Sequence, residues 1–265
     1  MNQIAAQTEA VLLRQDNAGV ATLTLNRPQA RNALSVGLMS ALEHAIEEIG
    51  HDKSVRVVVI AGNGPAFCAG HDLREMRAKP GRTEYTSLFS QCARLMLAIV
   101  HLPKPVIARV HGVATAAGCQ LVASCDLAVA AETARFATPG VNIGLFCSTP
   151  MVALSRNVGR KQAMEMLLTG ALMPAREARA IGLVNRVVPD TDLIAETDTL
   201  AAAIAAKSPL TLAIGKAAFY RQADMKLEDA YRYAAEVMTH NMMARDAEEG
   251  IDAFLQKRPP SWTGT

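Results

Sequence analysis

The sequence predicts an α/β protein, with a mixed part over residues 1–189 and an all-helical part over residues 190–265. Three observations lead to this fold class. Val55 to Gly62 is a run of mostly β-branched residues, which is typical of a strand buried on both faces. Strand patterns alternate with helical patterns as far as Pro189, which favours a parallel sheet with right-handed crossovers. After Pro189 only helical patterns follow.

The first elements are a strand, a helix and a second strand. The segment "VATLTLNRP" alternates apolar and polar residues and predicts a strand that ends in the Asn-Arg-Pro turn. Apolar residues recur at helical spacing from Leu34 to Ile49, and Gly50 ends this predicted helix. The second strand, Val55 to Gly62, runs into "NGPAFCAG", whose small residues predict a loop that approaches something closely.

The middle of the chain continues the alternation. Residues 84–101 have an amphipathic helical pattern, and "KPVIARV" predicts the next strand. The segment "HGVATAAGCQLVASC" predicts a small-residue loop followed by a helix, and "DLAVAAETARFATP" predicts two short strands around a turn. The final helical patterns cover residues 190–206, 210–221, 227–240 and 247–256. These helices either cap the same core or form an oligomerisation region.

Composition argues against several classes of function. The 265 residues are 50% hydrophobic and carry a formal net charge of +2, which argues against a nucleic-acid-binding protein. The longest apolar region, Val106 to Ala131, contains charged residues such as Arg109 and predicts no membrane span. The first residues lack the pattern of a secretory signal or a transit peptide, so we expect a soluble, cytoplasmic protein. Five cysteines without metal-type spacing predict buried thiols and no metal site.

Two segments have the composition of loops that bind an oxyanion. In "FCAGHDL" a glycine-rich turn leads into a predicted helix, and in "GVATAAGCQL" small residues precede another. Backbone N–H groups at the start of a helix are unpaired, and the helix dipole favours negative charge there. Two such donors aimed at one point stabilise a carbonyl oxygen that becomes negative. Taken alone, each segment is more simply explained as a strand–helix turn without a ligand.

Four motifs, through their order and spacing, give a specific family resemblance. The segments "LNRPQARNAL", "FCAGHDLREM", "HGVATAAGCQLVASCDLAVA" and "FATPGVNIGLF" resemble the successive motifs of the enoyl-CoA hydratase/isomerase (crotonase) superfamily. The C-terminal "EGIDAFLQKRPPSW" resembles the ending of its members. The resemblance implies a crotonase-type spiral of ββα units with an all-helical C-terminal oligomerisation region. It also implies a homotrimer or a hexamer (a dimer of trimers) that binds acyl-CoA thioesters as substrates and needs no other cofactor.

The resemblance assigns two oxyanion donors. The first is the backbone N–H of His71, which follows the Ala69–Gly70 pair. The second is the backbone N–H of Ala117, with Gly118 beside it. Members of the family usually have glycine where this chain has Ala117. Alanine retains the N–H group but restricts φ.

The two catalytic glutamates of the family's hydratases are missing. Gln120 and Gly140 stand at their positions, and Ser148 stands near the position of an acid in other branches. A positioned acid or base contributes typically about 10²–10⁴-fold to a rate, and glutamine cannot take a proton near neutral pH. The sequence therefore predicts very slow hydration. The remaining alternatives are an acyl-CoA enzyme with another base, a weak or atypical enoyl-CoA hydratase, and a non-catalytic acyl-CoA sensor or scaffold.

His71 is the first candidate for another base, because histidine titrates near neutrality. Its side chain either faces the site or points outward. Asp72 is expected to cap the next helix, and with Leu73 it belongs to the segment that the resemblance assigns to the substrate. Glu75 and Glu84 either approach the pocket or lie on the surface.

Four further residues are candidates for binding CoA. Arg27 and Arg31, beside the first turn, are placed to meet its phosphates or its adenine region. Phe254 and Lys257 match a C-terminal element that in the family often reaches the CoA of a neighbouring subunit. The alternative for each basic side chain is an ordinary solvated position.

Overall fold

The α/β class is confirmed by the computed structural model, which describes residues 10–265. Its strands are β1 Leu12–Asn17, β2 Val20–Leu25, β3 Val57–Gly62, β4 Val106–Val110, β5 Val113–Thr115, β6 Leu127–Ala131, β7 Arg135–Ala137, β8 Met173–Pro174 and β9 Arg186–Val188. Its α-helices are α1 Val36–His51, α2 Leu73–Ala78, α3 Arg82–His101, α4 Ala117–Ser124, α5 Ser148–Asn157, α6 Arg160–Thr169, α7 Ala175–Ala180, α8 Leu193–Ala205, α9 Pro209–Ala223, α10 Leu227–Met242 and α11 Arg245–Leu255. The helical end of the chain is confirmed as well.

A six-stranded sheet, in the order β1-β2-β3-β4-β6-β9, forms the centre of the fold. β1 runs antiparallel to β2 through a turn at Ala18 and Gly19, whose φ angles of 48° and 81° suit a two-residue hairpin. The other neighbouring strands are parallel, so their carboxyl ends meet at one edge of the sheet. A smaller sheet has the order β5-β7-β8. Since β5 leads directly into α4, this smaller sheet positions the start of that helix.

β3 is buried on both faces because its alternate residues face different packed layers. Val58 and Ile60 belong to the main core, together with side chains of α1 and α3. Val57 and Val59 belong to a second core, whose other side is formed by α8. The buried side chains that α8 contributes are mostly small, so this helix lies close to the sheet. The second core therefore joins the mixed α/β part of the chain to the helical part that begins at residue 190.

Most predicted elements are present, with shifted ends. The helix predicted over 34–49 begins at Val36, because Ser35 caps it by accepting a hydrogen bond from the Leu38 amide at 3.1 Å. The sequence analysis did not predict β1 or the helices α5, α6 and α7. Five of the six β1 residues are exposed, so β1 lacks the alternation of apolar and polar residues that reveals a strand.

A buried charged cluster ties α9 to the rest of the fold. Lys216 Nζ lies 2.7 Å from Asp126 Oδ2, and Tyr220 donates its hydroxyl to Asp126 Oδ1 at 2.9 Å. Asp126 Oδ2 also accepts a hydrogen bond from the Val106 amide at 2.7 Å, at the start of β4. Burial lowers the pKa of Lys216, and the charge of Asp126 opposes that shift. The cluster therefore depends on the presence of both charges.

The C-terminal helices α9, α10 and α11 leave many large apolar side chains exposed. Their exposed large apolar side chains include Phe219, Leu227, Tyr231, Met238, Met242, Met243, Ile251, Phe254 and Leu255. Neither α9 nor α10 has a buried residue. Among residues 10–265 no single helix is long and apolar enough to cross a membrane. The helices α8 and α9 are long and apolar enough only when they are counted as one segment, and they are bent by 102° relative to each other.

Candidate active site

The two loops that have the composition of an oxyanion site lie side by side. The first runs from β3 to α2, and the second runs from β5 to α4. Cys68 of the first loop donates its amide to Val113 O at 3.1 Å and accepts from the Thr115 amide at 2.9 Å. These hydrogen bonds form a parallel bridge between Cys68 and Ala114. The loops are thus fixed to each other before either reaches its helix.

Two glycines allow this close approach. A Cβ on Gly118 would lie 2.8 Å from both the carbonyl carbon and the Cβ of Cys68, and still closer to the Cys68 oxygen. A Cβ on Gly70 would lie 3.4 Å from the Ala117 nitrogen, and Gly70 has a φ of 95°. Side chains are disfavoured at both positions. The peptide that joins Gly70 to His71 consequently lies beside the start of α4.

The amide of His71 is unpaired. Leu34 pairs with His71 as in a parallel sheet: its amide donates to Gly70 O at 2.7 Å, and its carbonyl accepts from the Asp72 amide at 3.1 Å. In this pattern the N–H of the central residue points away from the partner strand. Within residues 10–265 the His71 amide has no hydrogen-bond partner.

The amide of Ala117 is the second unpaired donor. Ala117 is the first residue of α4, and the first amide of this helix with a partner is that of Gln120, which donates to Ala116 O at 3.0 Å. In the part of the chain that the structure describes, the Ala117 amide has no acceptor. It lies at the positive end of the α4 dipole, which favours negative charge. Each of the two adjoining loops thus presents an unpaired amide, that of His71 in the first and that of Ala117 in the second.

The imidazole of His71 is buried. Neither ring nitrogen is accessible, and neither has a hydrogen-bond partner among the described residues. The ring packs edge-on against Phe89 of α3, with the ring centroids 5.6 Å apart and the planes at 73°. Burial lowers the pKa of His71, and the backbone of Leu34 raises it to a smaller extent. Of the two orientations left open by the sequence, the outward one is wrong, and the neutral ring prevails at neutral pH.

Gln120 packs against the same face of α3 as His71. Its side chain is buried, and its Oε1 accepts a hydrogen bond from the Cys92 thiol at 3.8 Å. Phe89 and Cys92 are three residues apart on α3, so their side chains are neighbours on one face of that helix. The imidazole of His71 and the amide of Gln120 therefore contact neighbouring residues of α3.

Gly140 has no room for a side chain. Its amide donates to Cys147 Sγ at 3.3 Å, and its carbonyl accepts from the Leu145 amide at 2.9 Å. A Cβ at Gly140 would lie 2.8 Å from Leu145 O and 2.9 Å from Cys147 Sγ. A glutamate here would require the whole turn to move. Ser148 lies nearby at the exposed start of α5, where its hydroxyl donates to Phe146 O at 3.4 Å.

Thr138 is a site residue that the sequence analysis missed. Its hydroxyl is fully buried and has no partner within residues 10–265. The Ala116 amide donates to Ala137 O at 2.9 Å, which places Thr138 beside the start of α4. In the described chain three buried side-chain nitrogen or oxygen atoms have no hydrogen-bond partner: Thr138 Oγ1 and the two ring nitrogens of His71. The sequence "ATP" is common in ordinary turns, so no local pattern predicts that the Thr138 hydroxyl is buried without a partner.

Arg27 and Asp72 form an ion pair with each other, and their predicted contact with CoA stays a prediction. Arg27 Nη2 lies 2.8 Å from Asp72 Oδ2, and Arg27 Nη1 donates to Ala33 O at 2.6 Å. Asp72 Oδ1 accepts from the Arg74 amide at 3.1 Å, so the predicted cap of α2 is confirmed. Both charged groups fasten the first turn to α2.

Arg31 and Leu73 remain accessible to a ligand. Arg31 is exposed, and within residues 10–265 its guanidinium has no ion pair or hydrogen bond. Its carbonyl accepts from the Ala69 amide at 3.0 Å, which holds Arg31 beside the first loop. Leu73, the first residue of α2, is 49% exposed. Both positions fit the predicted contacts with CoA.

Phe254 and Lys257 lie at the end of α11, which packs on α9 and α10. Phe254 is 82% exposed and lines a cleft of about 690 Å³ together with Met238, Met242 and Trp262. Lys257, just beyond the helix, is exposed as well. The single chain does not bring this end of α11 to the two loops. The contact of Phe254 and Lys257 with the CoA of a neighbouring subunit stays a prediction.

The carboxylates considered as alternative acids are engaged elsewhere. Glu75 Oε2 accepts a hydrogen bond from the Val36 amide at 2.9 Å, at the start of α1. Glu84 folds over Gly81, where its carboxylate would overlap an added Cβ. Among the described residues no group of three histidine, cysteine or acidic side chains is arranged to hold a metal ion. Within residues 10–265 neither of these two glutamates replaces the family's missing acids.

Replacing His71 with phenylalanine is expected to raise the free energy of unfolding by about 1 kcal/mol at neutral pH, because two buried unpaired nitrogens disappear. The wild type is also expected to lose stability as the pH falls below 6.5, since the unfolded chain then binds a proton that the folded chain binds less well. Urea unfolding of both proteins on either side of that pH measures the two effects. An equally steep pH dependence in H71F would contradict a buried imidazole.

Comparisons with known proteins add three findings. The family model described as Enoyl-CoA hydratase/isomerase matches residues 15–265. The Xenopus laevis "Enoyl-CoA hydratase domain-containing protein 3, mitochondrial" is 48% identical over 256 residues, which covers 97% of this chain and 87% of that protein. The crystal structure of an enoyl-CoA hydratase from Mycobacterium smegmatis has a TM-score of 0.94 at 58% identity, covering 96% of this chain and 99% of the other. The crystal structure of human enoyl Coenzyme A hydratase domain-containing protein 3 has a TM-score of 0.93 at 45% identity, covering 95% of this chain and 100% of the other.

The expected cytoplasmic location is wrong by this comparison. Relatives from frog, rat and human, at 46–48% identity, are named mitochondrial proteins. The expectation depended on the composition of the first residues, and residues 1–9 lie outside the described part of the chain. Composition of so short a segment is a weaker guide to location than relatives that match most of the chain.

Proposed function

The chain belongs to the enoyl-CoA hydratase/isomerase family, and on this premise we propose that it binds an acyl-CoA thioester and stabilises negative charge on the thioester oxygen. Members of this family bind acyl-CoA and are typically oligomeric. The relatives also confirm the branch to which the motifs are most similar, that of enoyl-CoA hydratase domain-containing protein 3. In our proposal the amides of His71 and Ala117 donate to the thioester oxygen.

The observation that supports this proposal is the presence of two unpaired amides on adjoining loops. Loss of one donor of this kind typically costs about 2.7–4 kcal/mol of transition-state stabilisation. The bonds of Cys68 with Val113 and Thr115 fix the loops to each other, so the donors are in place before charge develops. Such preorganisation is what makes a donor effective. The α4 dipole adds to the attraction for a negative oxygen.

Ordinary hydration of a double bond is not the reaction that we propose. Gln120 cannot take a proton near neutral pH, and Gly140 has no room for an acid. Each missing acid or base is expected to lower the rate by about 10²–10⁴-fold. The proposed activity is therefore proton transfer or another reaction of a thioester enolate, with a base other than the customary glutamates.

Titration calorimetry with CoA and with butyryl-CoA tests the proposed binding. We expect butyryl-CoA to bind with a Kd below about 1 mM, and more tightly than CoA because the thioester oxygen adds two hydrogen bonds. Absence of binding at millimolar butyryl-CoA would overturn the proposal. Binding without turnover of any acyl-CoA in a broad panel would instead favour the sensor or scaffold.

Hydration of crotonyl-CoA provides a second test. Wild-type turnover is expected to lie at least about 10²-fold below a typical rate of roughly 10 s⁻¹. Q120E is expected to raise this turnover without reaching the typical rate, because only one of the two acids returns. Loss of the enoyl thioester absorbance measures both rates. Wild-type turnover near the typical rate would mean that this is an ordinary hydratase, with acids that we have not assigned.

Assembly as a homotrimer or a hexamer stays a prediction. The exposed apolar side chains of α9, α10 and α11 form a surface of the kind that is usually buried between subunits. Phe254 lies on this surface, which suits its predicted contact with the CoA of a neighbouring subunit.

A further inference from the structure

Both ring nitrogens of His71 are buried without a hydrogen-bond partner among residues 10–265. A buried polar atom without a hydrogen bond loses its hydration without compensation, and folded proteins largely avoid this. Within residues 10–265 such side-chain atoms occur only on His71 and Thr138. Both residues flank the loops that carry the proposed oxyanion donors. A buried group of this kind requires an explanation, and a catalytic role is one such explanation.

His71 is also the group at this site that is able to take a proton near neutral pH. Burial raises the pKa of the thiols nearest to the two loops to about 12, so they stay protonated; these are Cys68, Cys92 and Cys119. Gln120, at the customary position of a glutamate, does not titrate. Of these groups, the imidazole of His71 is the base that remains; the other histidine near the loops, His111, has its Nε2 2.7 Å from Gly64 O.

The charged side chains around His71 do not keep it protonated. Burial lowers its pKa, and the opposing contribution comes from the backbone of Leu34 rather than from a carboxylate. Asp72 is paired with Arg27, and Glu75 is bonded to the amide at the start of α1. On α3, Glu84 folds over the start of its own helix. The ring is accordingly in its neutral form, which is the form that accepts a proton.

We propose that the His71 imidazole is the proton-transferring group of this site, in place of the missing glutamates. This inference rests on the proposed function, because the proton comes from a bound acyl-CoA. The C–H bond next to the thioester carbonyl breaks, and its proton goes to a ring nitrogen. The electron pair forms a carbon–carbon double bond, and negative charge moves to the carbonyl oxygen, held by the amides of His71 and Ala117. Return of a proton from the imidazolium to carbon completes the cycle, so no further reactant is needed.

The arrangement of His71 suits this role. In this proposal one residue supplies both the amide for the carbonyl oxygen and the ring for the adjacent carbon, and in the substrate that oxygen and that carbon are attached to the same carbonyl carbon. Both ring nitrogens are enclosed in this structure, so the proposal includes a turn of the ring toward the bound substrate. Phe89 fixes the ring edge-on at 5.6 Å between centroids. Gln120 lies against the same face of α3, where its Oε1 accepts a hydrogen bond from the Cys92 thiol. A residue in this arrangement links oxyanion stabilisation directly to proton transfer.

Hydrogen exchange into butyryl-CoA tests the proposal. The wild type in D₂O is expected to introduce deuterium at the carbon next to the carbonyl, as measured by mass spectrometry. H71Q and H71A are expected to lose at least about 10²-fold of this rate, although each retains the backbone amide. Added imidazole is expected to restore part of the rate of H71A. H44Q, the same substitution at an exposed histidine of α1, serves as the matched control and is expected to exchange normally.

The pH profile and the binding data separate the possible failures. Wild-type exchange is expected to decrease in acid, at a pH below that of an ordinary histidine, because burial lowers the pKa of the His71 ring. Exchange by H71Q at the wild-type rate would overturn the proposed role of His71. A wild type that binds butyryl-CoA without any exchange would also overturn this role, but it would leave the proposed binding intact. Failure of the wild type to bind butyryl-CoA would overturn the proposed function itself. If H71Q does not fold, imidazole rescue of H71A and the wild-type pH profile decide.

Discussion

Replacing Gly118 with alanine is expected to lower the free energy of unfolding by about 2–3 kcal/mol and to weaken butyryl-CoA binding by more than about tenfold. The added methyl would lie 2.8 Å from the Cys68 carbonyl carbon. Backbone cannot swing aside as a flexible side chain does, so α4 must move away from the first loop. That movement separates the amides of His71 and Ala117, which affects binding as well as stability.

Urea unfolding and titration calorimetry of G118A measure the two effects. G215A is the matched control, because a Cβ on Gly215 meets nothing within 4 Å and the residue lies inside α9. This control is expected to gain up to about 1 kcal/mol, as alanine favours a helix more than glycine does. A G118A protein that binds butyryl-CoA like the wild type would show that the separation of the loops does not control the site.

Removing the Asp126 carboxylate is expected to cost about 3–5 kcal/mol of stability in D126A, since one partner of a buried ion pair is left alone. The side chain of Lys216 is only 6% exposed, so its ammonium has little access to water. Burial already lowers the pKa of Lys216, and the charge of Asp126 opposes that shift. The variant also loses the acceptor of the Tyr220 hydroxyl and of the Val106 amide.

Two further variants distinguish a buried ion pair from a general effect of removing an acid. D229A breaks an exposed pair with Arg232, whose side chains are 54% and 69% exposed, and is expected to change stability by at most about 1 kcal/mol. D126A/K216M is expected to be more stable than D126A, because it buries no unpaired charge. Urea unfolding compares all three. A loss in D126A no larger than in D229A would contradict the importance of this cluster.

The residue pattern alone predicts much of the fold. The β-branched run of β3 is buried on both faces because helices cover both sides of a parallel sheet, and this is visible in sequence. The spacing of apolar residues predicts α1, α3 and the C-terminal helices within a few residues. The motif order indicates the family, which the comparisons confirm. β1 has no such pattern, because its side chains are almost all exposed.

Parts of the site also follow from the sequence, but its contacts do not. Small residues at the start of α4 predict unpaired amides there, since every helix leaves its first N–H groups without partners. The ion pair of Arg27 with Asp72 joins residues far apart in the chain, so reading each charge locally does not reveal it. The steric exclusion of a side chain at Gly140 likewise comes from Leu145 and Cys147 after the chain turns back.

The sequence by itself determined the α/β class, the family, and the absence of glutamates at positions 120 and 140, because these depend on composition and on local order. Only the tertiary structure decided that the ring of His71 is buried against Phe89 and that the Thr138 hydroxyl is unpartnered. Burial and hydrogen bonding depend on which distant segments meet. No periodicity of a single segment encodes that information.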